Sequence, residues 1–190
     1  MLNIQNKIVL LDRDGVINQD SDAYIKSAEE WHAIPRSLEA MAQLCQAGYQ
    51  LYVVTNQSGL GRGLFTEVEL QAMHDKMRRG LAKLGGNISD IVYCPHHPSE
   101  NCKCRKPGTG LLEILHARHG LKFDQVPFVG DTTKDLGCAA AAGARGILVR
   151  TGKGEKTLAK LKQQYAENET PFDVPTYNNL ADAVKDWLSQ

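Results

Sequence analysis

The sequence predicts an α/β fold built on a doubly wound, mostly parallel sheet. Short β-branched apolar runs alternate with longer amphipathic ones, which is the pattern of strands crossing over through helices. The chemistry-bearing residues gather where the short runs end, and ligands of such sheets bind at the carboxyl ends of strands. A length of 190 residues suits one domain of this kind, with no need of disulfides to hold a core. The strand candidates are Lys7–Leu11, Gln50–Thr55, Asp90–Cys94, Val126–Gly130 and Gly146–Arg150. All are compact and apolar on both faces, as central strands covered by helices on both sides must be.

The helix candidates lie between them. Ser37–Ala47 is followed by Gly48, a C-terminal stop. Thr66 to Leu84 opens on Thr66-Glu67-Val68-Glu69, a capping-box pattern, and ends at Gly85-Gly86. Gly110–His119, Lys134–Ala142, Glu155–Asn168 and Leu180–Ser189 complete the set, and 169–175 reads as a loop into the last helix. No internal repeat, low-complexity tract or linker interrupts the chain, so one domain over 1–190 is expected.

Composition narrows the function. Lys+Arg and Asp+Glu both number 22, which removes the electrostatic footprint of a nucleic-acid binder. Hydrophobic content of 42% and charged content of 23% exclude a wholly disordered or fibrous chain. No apolar run approaches the ~20 residues that cross a bilayer. The start, Met1 to Lys7, lacks a charged-then-apolar signal before Ile8, so a cytoplasmic monomer without membrane or nucleic-acid partners is expected. Of five cysteines, Cys94, Cys102 and Cys104 fall within eleven residues beside His96 and His97, whereas Cys45 and Cys138 stand alone. Thiols clustered with imidazole read as metal binding before they read as disulfides.

Each interesting cluster follows a strand. Asp12-Arg13-Asp14-Gly15 ends the first; carboxylates two residues apart can share one space with Arg13 directed elsewhere, and Gly15 permits a sharp turn. Thr55-Asn56-Gln57-Ser58-Gly59 ends the second, offering a hydroxyl and backbone amides to phosphate oxygens. Cys104-Arg105-Lys106-Pro107-Gly108 places two cations before a helix, and Gly130-Asp131-Thr132-Thr133-Lys134-Asp135 ends a strand in two acids. Singly, each has an ordinary structural reading: a turn, a helix cap, a solvated lysine, a helix-start acid. In this order along one sheet they make a site.

The set resembles the four motifs of the haloacid dehalogenase-like phosphohydrolase superfamily, over nearly the whole chain. The resemblance implies a Rossmann-like domain and phosphomonoester hydrolysis. Asp12 would be the nucleophile, Asp14 the general acid and then base, and Thr55 and Lys106 the partners of the equatorial phosphoryl oxygens. Magnesium would be held by Asp12, the backbone carbonyl of Asp14, and Asp131. Asp135 would lie behind them or orient Lys106. Only 40 residues separate Asp14 from Thr55, and the gap from Thr55 to Lys106 holds one long helix, one strand and the Cys/His loop. No cap domain fits in either, so an open site with loop-based selectivity is expected.

Three thiols and one imidazole would close a structural tetrahedral zinc site in an inserted loop over 94–104, and on chemistry alone either His96 or His97 could complete it. A capless chain with D-R-D-G, T-N-Q-S-G, C-P-H-H-P and C-x-C-R-K-P is similar to the D-glycero-D-manno-heptose 1,7-bisphosphate 7-phosphatase family; the histidinol-phosphate phosphatase branch shares most of the pattern. That similarity implies removal of the 7-phosphate of a sugar bisphosphate in lipopolysaccharide-core precursor synthesis. It implies zinc ligands at Cys94, His96, Cys102 and Cys104. It implies substrate contacts at Asp20, Ser21, Asp22, Ala23, Thr55, Asn56, Gln57, Ser58, Arg105 and Lys106, with Arg105 recognising the sugar end. Two departures stand out: only five residues lie between His96 and Cys102, and no lysine follows Asp131 directly. Against this enzyme reading stand a phosphorylation-receiver domain, whose phosphoacceptor does not sit on the first strand, and a zinc-dependent nucleic-acid module, which lacks the basic and aromatic surface pattern.

Overall fold

The computed structural model describes residues 7–168 and 172–189. The amino-terminal reading over 1–6 and the first part of the expected 169–175 loop lie outside them. Six strands form one sheet: β1 (Ile8–Leu11), β2 (Gln50–Asn56), β3 (Asp90–Cys94), β4 (Pro127–Gly130), β5 (Arg145–Val149) and β6 (Thr176–Tyr177). Their order is β3-β2-β1-β4-β5-β6 and every adjacent pair is parallel. The helices are α1 (Ser37–Gln46), α2 (Ser58–Gly61), α3 (Glu67–Ala82), α4 (Gly110–His119), α5 (Thr133–Ala141), α6 (Gly154–Glu167) and α7 (Leu180–Leu188).

The strand pleat sorts the core into two layers. Val9 and Leu11 point to one face, packing with Met41 and Leu44 of α1, Met73 and Met77 of α3, and Val184 and Trp187 of α7. Leu10 points to the other, joining Val54, Phe128, Leu112 and Leu115 of α4 and Cys138 of α5. The expected capping box forms: Thr66 Oγ1 accepts from Glu69 N–H while Glu69 takes the Thr66 N–H. Gly48 adopts φ +86° just after α1, which a Cβ would disfavour. β3 is an edge strand rather than a central one, and its burial alternates accordingly. β6 has no counterpart in the sequence reading, because its two residues pair with β5 at the far edge and carry almost no apolar pattern.

The sheet's connection direction reverses between β1 and β4, the crevice where a doubly wound sheet takes its ligand. Asp12 follows β1 and Asp131 follows β4, so topology sets the first and fourth motifs side by side.

Candidate active site

Asp12 stays in register with its neighbour: its N–H donates to Val129 O at 2.9 Å. Its Oδ1 accepts the Arg13 N–H at 2.7 Å and pairs with Lys106 Nζ at 2.8 Å. Lys106 comes from the loop between β3 and α4 and is 2% exposed. Its ammonium also pairs with Asp135 Oδ1 at 2.6 Å and donates to Val54 O at 2.7 Å, so its three protons have three partners. Asn56 sets the backbone of this lysine, accepting Lys106 N–H at 3.0 Å and donating to Lys106 O at 3.2 Å. Asp135 Oδ2 accepts from Thr132 N–H at 3.0 Å and Thr132 Oγ1 at 2.6 Å, closing the start of α5. The residue that departs from the family pattern after Asp131 thus serves as a helix cap.

Burial dominates the electrostatics. It pushes the Asp12 carboxyl well above its usual value; Lys106 opposes this, while Asp135 and Asp131 push it further. Burial likewise raises Asp131, against a bond from Lys153 N–H at 2.7 Å and with repulsion from Asp135, to about 7. Lys106 resists its own burial because Asp12 and Asp135 hold the ammonium form. Asp12, Asp131 and Asp135 bring carboxylate oxygens within 4.8 Å of one another, a set of hard donors able to hold a divalent cation. Both Asp135 oxygens are engaged by protein donors, which leaves Asp12 and Asp131 the freer pair.

Arg13 corrects the expectation that it points away. Its Nη2 donates to Asp14 Oδ1 and Oδ2, each at 2.9 Å, its Nε to Oδ1 at 3.2 Å, and its Nη2 also to Gln57 Oε1 at 3.0 Å. Strand alternation stops at Leu11 and Gly15 turns the chain at φ +81°, so a long guanidinium side chain can fold back on its neighbour. Asn18 Nδ2 and Gln57 Nε2 add bonds to Asp14, each at 2.8 Å. Burial works to raise the Asp14 carboxyl, but Arg13 and these bonds outweigh it and hold the group below its ordinary value. Gln57 also donates to Thr55 Oγ1 at 2.9 Å, joining the second motif to the first.

A cleft of about 360 Å³ opens over these groups. Asp12, Asp14, Asp20, Ser21, Asp22, Thr55, Asn56, Gln57, Ser58, Arg105, Lys106 and Asp131 all line it. Ala23 does not; its N–H closes a small turn onto Ser21 Oγ at 3.1 Å. Arg62, whose Arg62-Gly63 segment fits the family pattern after T-N-Q-S-G, also lines the cleft, whereas sequence reasoning missed Tyr24, Lys134 and Lys153 as lining residues. Lys153 had a readable signal, because Thr151-Gly152-Lys153 follows β5 at the same carboxyl edge as the four motifs.

Beside the cleft, Cys94, His96, Cys102 and Cys104 converge, with ligand atoms within 4.8 Å of one another. Adjacent contacts run from 3.1 Å for His96 Nδ1 to Cys104 Sγ, through 3.5 Å for Cys94 Sγ to Cys102 Sγ, to 3.6 Å for Cys94 Sγ to His96 Nδ1. A tetrahedron with metal–sulfur bonds of about 2.3 Å has edges of roughly 3.8 Å, so this set fits a tetrahedral ion. The alternative histidine is turned away: His97 Nδ1 meets Ser99 Oγ at 2.7 Å and caps the short 3₁₀ turn Pro98–Glu100.

Comparison with known proteins agrees with this geometry. The HAD-hydrolase-like family model matches residues 103–183. The chain is 52% identical over 154 residues to a D-glycero-beta-D-manno-heptose-1,7-bisphosphate 7-phosphatase of Pseudomonas putida, covering 81% of this chain and 88% of that one. It is 51% identical to the protein of that name from Bordetella bronchiseptica, covering 81% and 86%. A crystal structure of D,D-heptose 1,7-bisphosphate phosphatase from B. bronchiseptica, complexed with magnesium and phosphate, superposes with a TM-score of 0.87 at 45% identity over 96% of this chain and 98% of that chain. The chain belongs to the heptose-1,7-bisphosphate 7-phosphatase family of haloacid dehalogenase-like phosphohydrolases.

Proposed function

We propose that this chain removes the 7-phosphate of D-glycero-beta-D-manno-heptose 1,7-bisphosphate, in the cytoplasm, as a step towards nucleotide-heptose and the lipopolysaccharide core. The observation that carries the reading is the Asp12–Lys106–Asp135 array beside Asp131 at the sheet's switch point. Asp12 attacks phosphorus, the bond from phosphorus to the sugar oxygen breaks, and that oxygen takes a proton from Asp14; because Arg13, Asn18 and Gln57 favour the Asp14 carboxylate in the free site, the reacting form is the one that takes up a proton with the anionic ester bound. Asp14, now a carboxylate, takes a proton from water as the water oxygen attacks phosphorus, releasing inorganic phosphate and restoring Asp12. Lys106 and Thr55 face the equatorial phosphoryl oxygens. Asp12, the Asp14 carbonyl and Asp131 would hold Mg²⁺, which supplies charge neutralisation for approach to a dianionic ester. Arg105 is the expected contact for the sugar end, and its buried Nη1 has no protein partner to satisfy it.

The Cys94, His96, Cys102 and Cys104 set would hold Zn²⁺ as a structural ion, staking the loop one residue before Arg105. One domain over 1–190, acting as a monomer on a small phosphosugar, completes the reading; among the described residues no helix is long and apolar enough to cross a membrane. The β anomer, and the choice of the heptose bisphosphate over histidinol phosphate, are taken from the relatives' names. Phosphate release from the heptose bisphosphate, with phosphorus NMR identifying the product, tests the proposal. Product carrying only the 1-phosphate is expected, with turnover abolished in Asp12→Asn. Faster turnover of histidinol phosphate, or near-normal activity of Asp12→Asn, overturns it.

A further inference from the structure

We propose that Lys153 is a positioning residue that pins the segment Asp20–Tyr24 across the mouth of this capless site, taking the place of a lid. The inference rests on the reading of Asp20–Ala23 as a substrate-contacting segment. Lys153 Nζ lies 3.2 Å from Asp20 Oδ2 and 3.4 Å from Asp22 Oδ1. Its own backbone is fixed independently: Lys153 N–H donates to Asp131 Oδ2 at 2.7 Å, and Thr151 Oγ1 donates to Gly15 O at 2.6 Å. Gly152, at φ +58°, lies so close to Gly15 and Asp131 that a Cβ there would overlap both. The loop after β5 is therefore a rigid post on the metal side of the cleft, and the lysine side chain is what it extends towards the segment.

The opposite wall holds the other end. Arg62, just after α2, lies over the Tyr24 ring at 5.9 Å from its centroid. Tyr24 itself sits at φ +66°, a conformation a bulky residue rarely adopts unless its surroundings hold it. Charge makes the post necessary as well as convenient. Asp20 and Asp22 line a cleft that must admit a multiply charged anion, and without a cation between them they would repel both each other and the substrate. Lys153 neutralises that pair while leaving Arg62, Arg105 and Lys134, for which no ion pair is seen among the described residues, facing the ligand.

Four variants decide it. Lys153→Met keeps the backbone N–H on Asp131, so amides of 20–24 should exchange with deuterium several-fold faster while those of β1 do not change. KM for the heptose bisphosphate should rise about five-fold with kcat held, and kcat/KM for a small aryl phosphate should be unchanged. Five-fold corresponds to about 1 kcal/mol, the upper range for a half-exposed ion pair. Lys153→Arg should restore wild-type KM. The double variant Asp20→Asn, Asp22→Asn should reproduce the KM rise, with Lys153→Met adding nothing to it. Unchanged exchange over 20–24 overturns the proposal. So does a lower KM in the double variant, since freeing a lysine that bound substrate directly would tighten binding. The exchange measurement needs no substrate, whereas failure of the wild-type chain to turn over the heptose bisphosphate would sink the proposed function instead.

Discussion

Replacing Lys106 by methionine keeps most of the side-chain volume and removes a buried cation that holds two carboxylates. In the native site its ammonium lies 2.8 Å from Asp12, 2.6 Å from Asp135 and 2.7 Å from Val54 O. Breaking a buried ion pair by deleting one partner costs about 3–5 kcal/mol, because the remaining charges are left uncompensated. That deficit is expected at pH 8. It must also depend on pH in a definite direction. Burial already raises Asp12, and removing the lysine that opposes it raises the folded-state value further above the unfolded ~3.9. A carboxyl raised on folding binds more protons folded than unfolded, so it destabilises increasingly as pH rises above ~4 and ceases to do so below it. Each pH unit below the raised value therefore returns up to about 1.4 kcal/mol. Urea unfolding of both proteins at pH 8 and pH 5 should show the deficit of Lys106→Met shrinking by about 2 kcal/mol or more at pH 5. Turnover should fall by about 10²–10³-fold if the role proposed for Lys106 at the phosphoryl oxygens is right. An equal deficit at both pH values, or an unchanged midpoint, would refute the buried-charge account.

His74 is buried with its ring 6.0 Å from that of Tyr93, and burial, with Arg13 and Arg78 adding to it, lowers its pKa to about 3. The unfolded imidazole protonates near 6.5, so stability is lost as pH falls below that value, by about 2 kcal/mol at pH 5; His74→Leu should show a smaller loss between pH 7 and 5 in the same urea titration. Cys102→Ser should reduce tightly held zinc, read by elemental analysis, and lower the melting temperature, with dialysable magnesium unaffected. Asn56→Ala removes both bonds to the Lys106 backbone and should cost about 1–3 kcal/mol of stability, with kcat falling as the lysine loses its placement.

Local pattern was enough for much of this protein. The helix Gly110–His119 and the strand Asp90–Cys94 lie at the bounds read from the sequence, because apolar runs and their Gly, Thr and Asp punctuation act over a few residues. The four motifs were legible because parallel strands deliver their carboxyl ends to one edge whatever their order. Contacts between distant segments were not. Placing Asp12 beside Asp131 required β1 to pair with β4, which no run of residues within either strand encodes. His96 and His97 are chemically equal on paper; the 3₁₀ turn that engages His97 decided between them. Arg13 was expected to obey strand alternation, and folded back onto Asp14 because the strand had ended and Gln57 and Asn18 waited there. Lys153 entered the cleft through the packing of Gly152 against Gly15, residues far apart in sequence, a closeness that only the folded chain possesses.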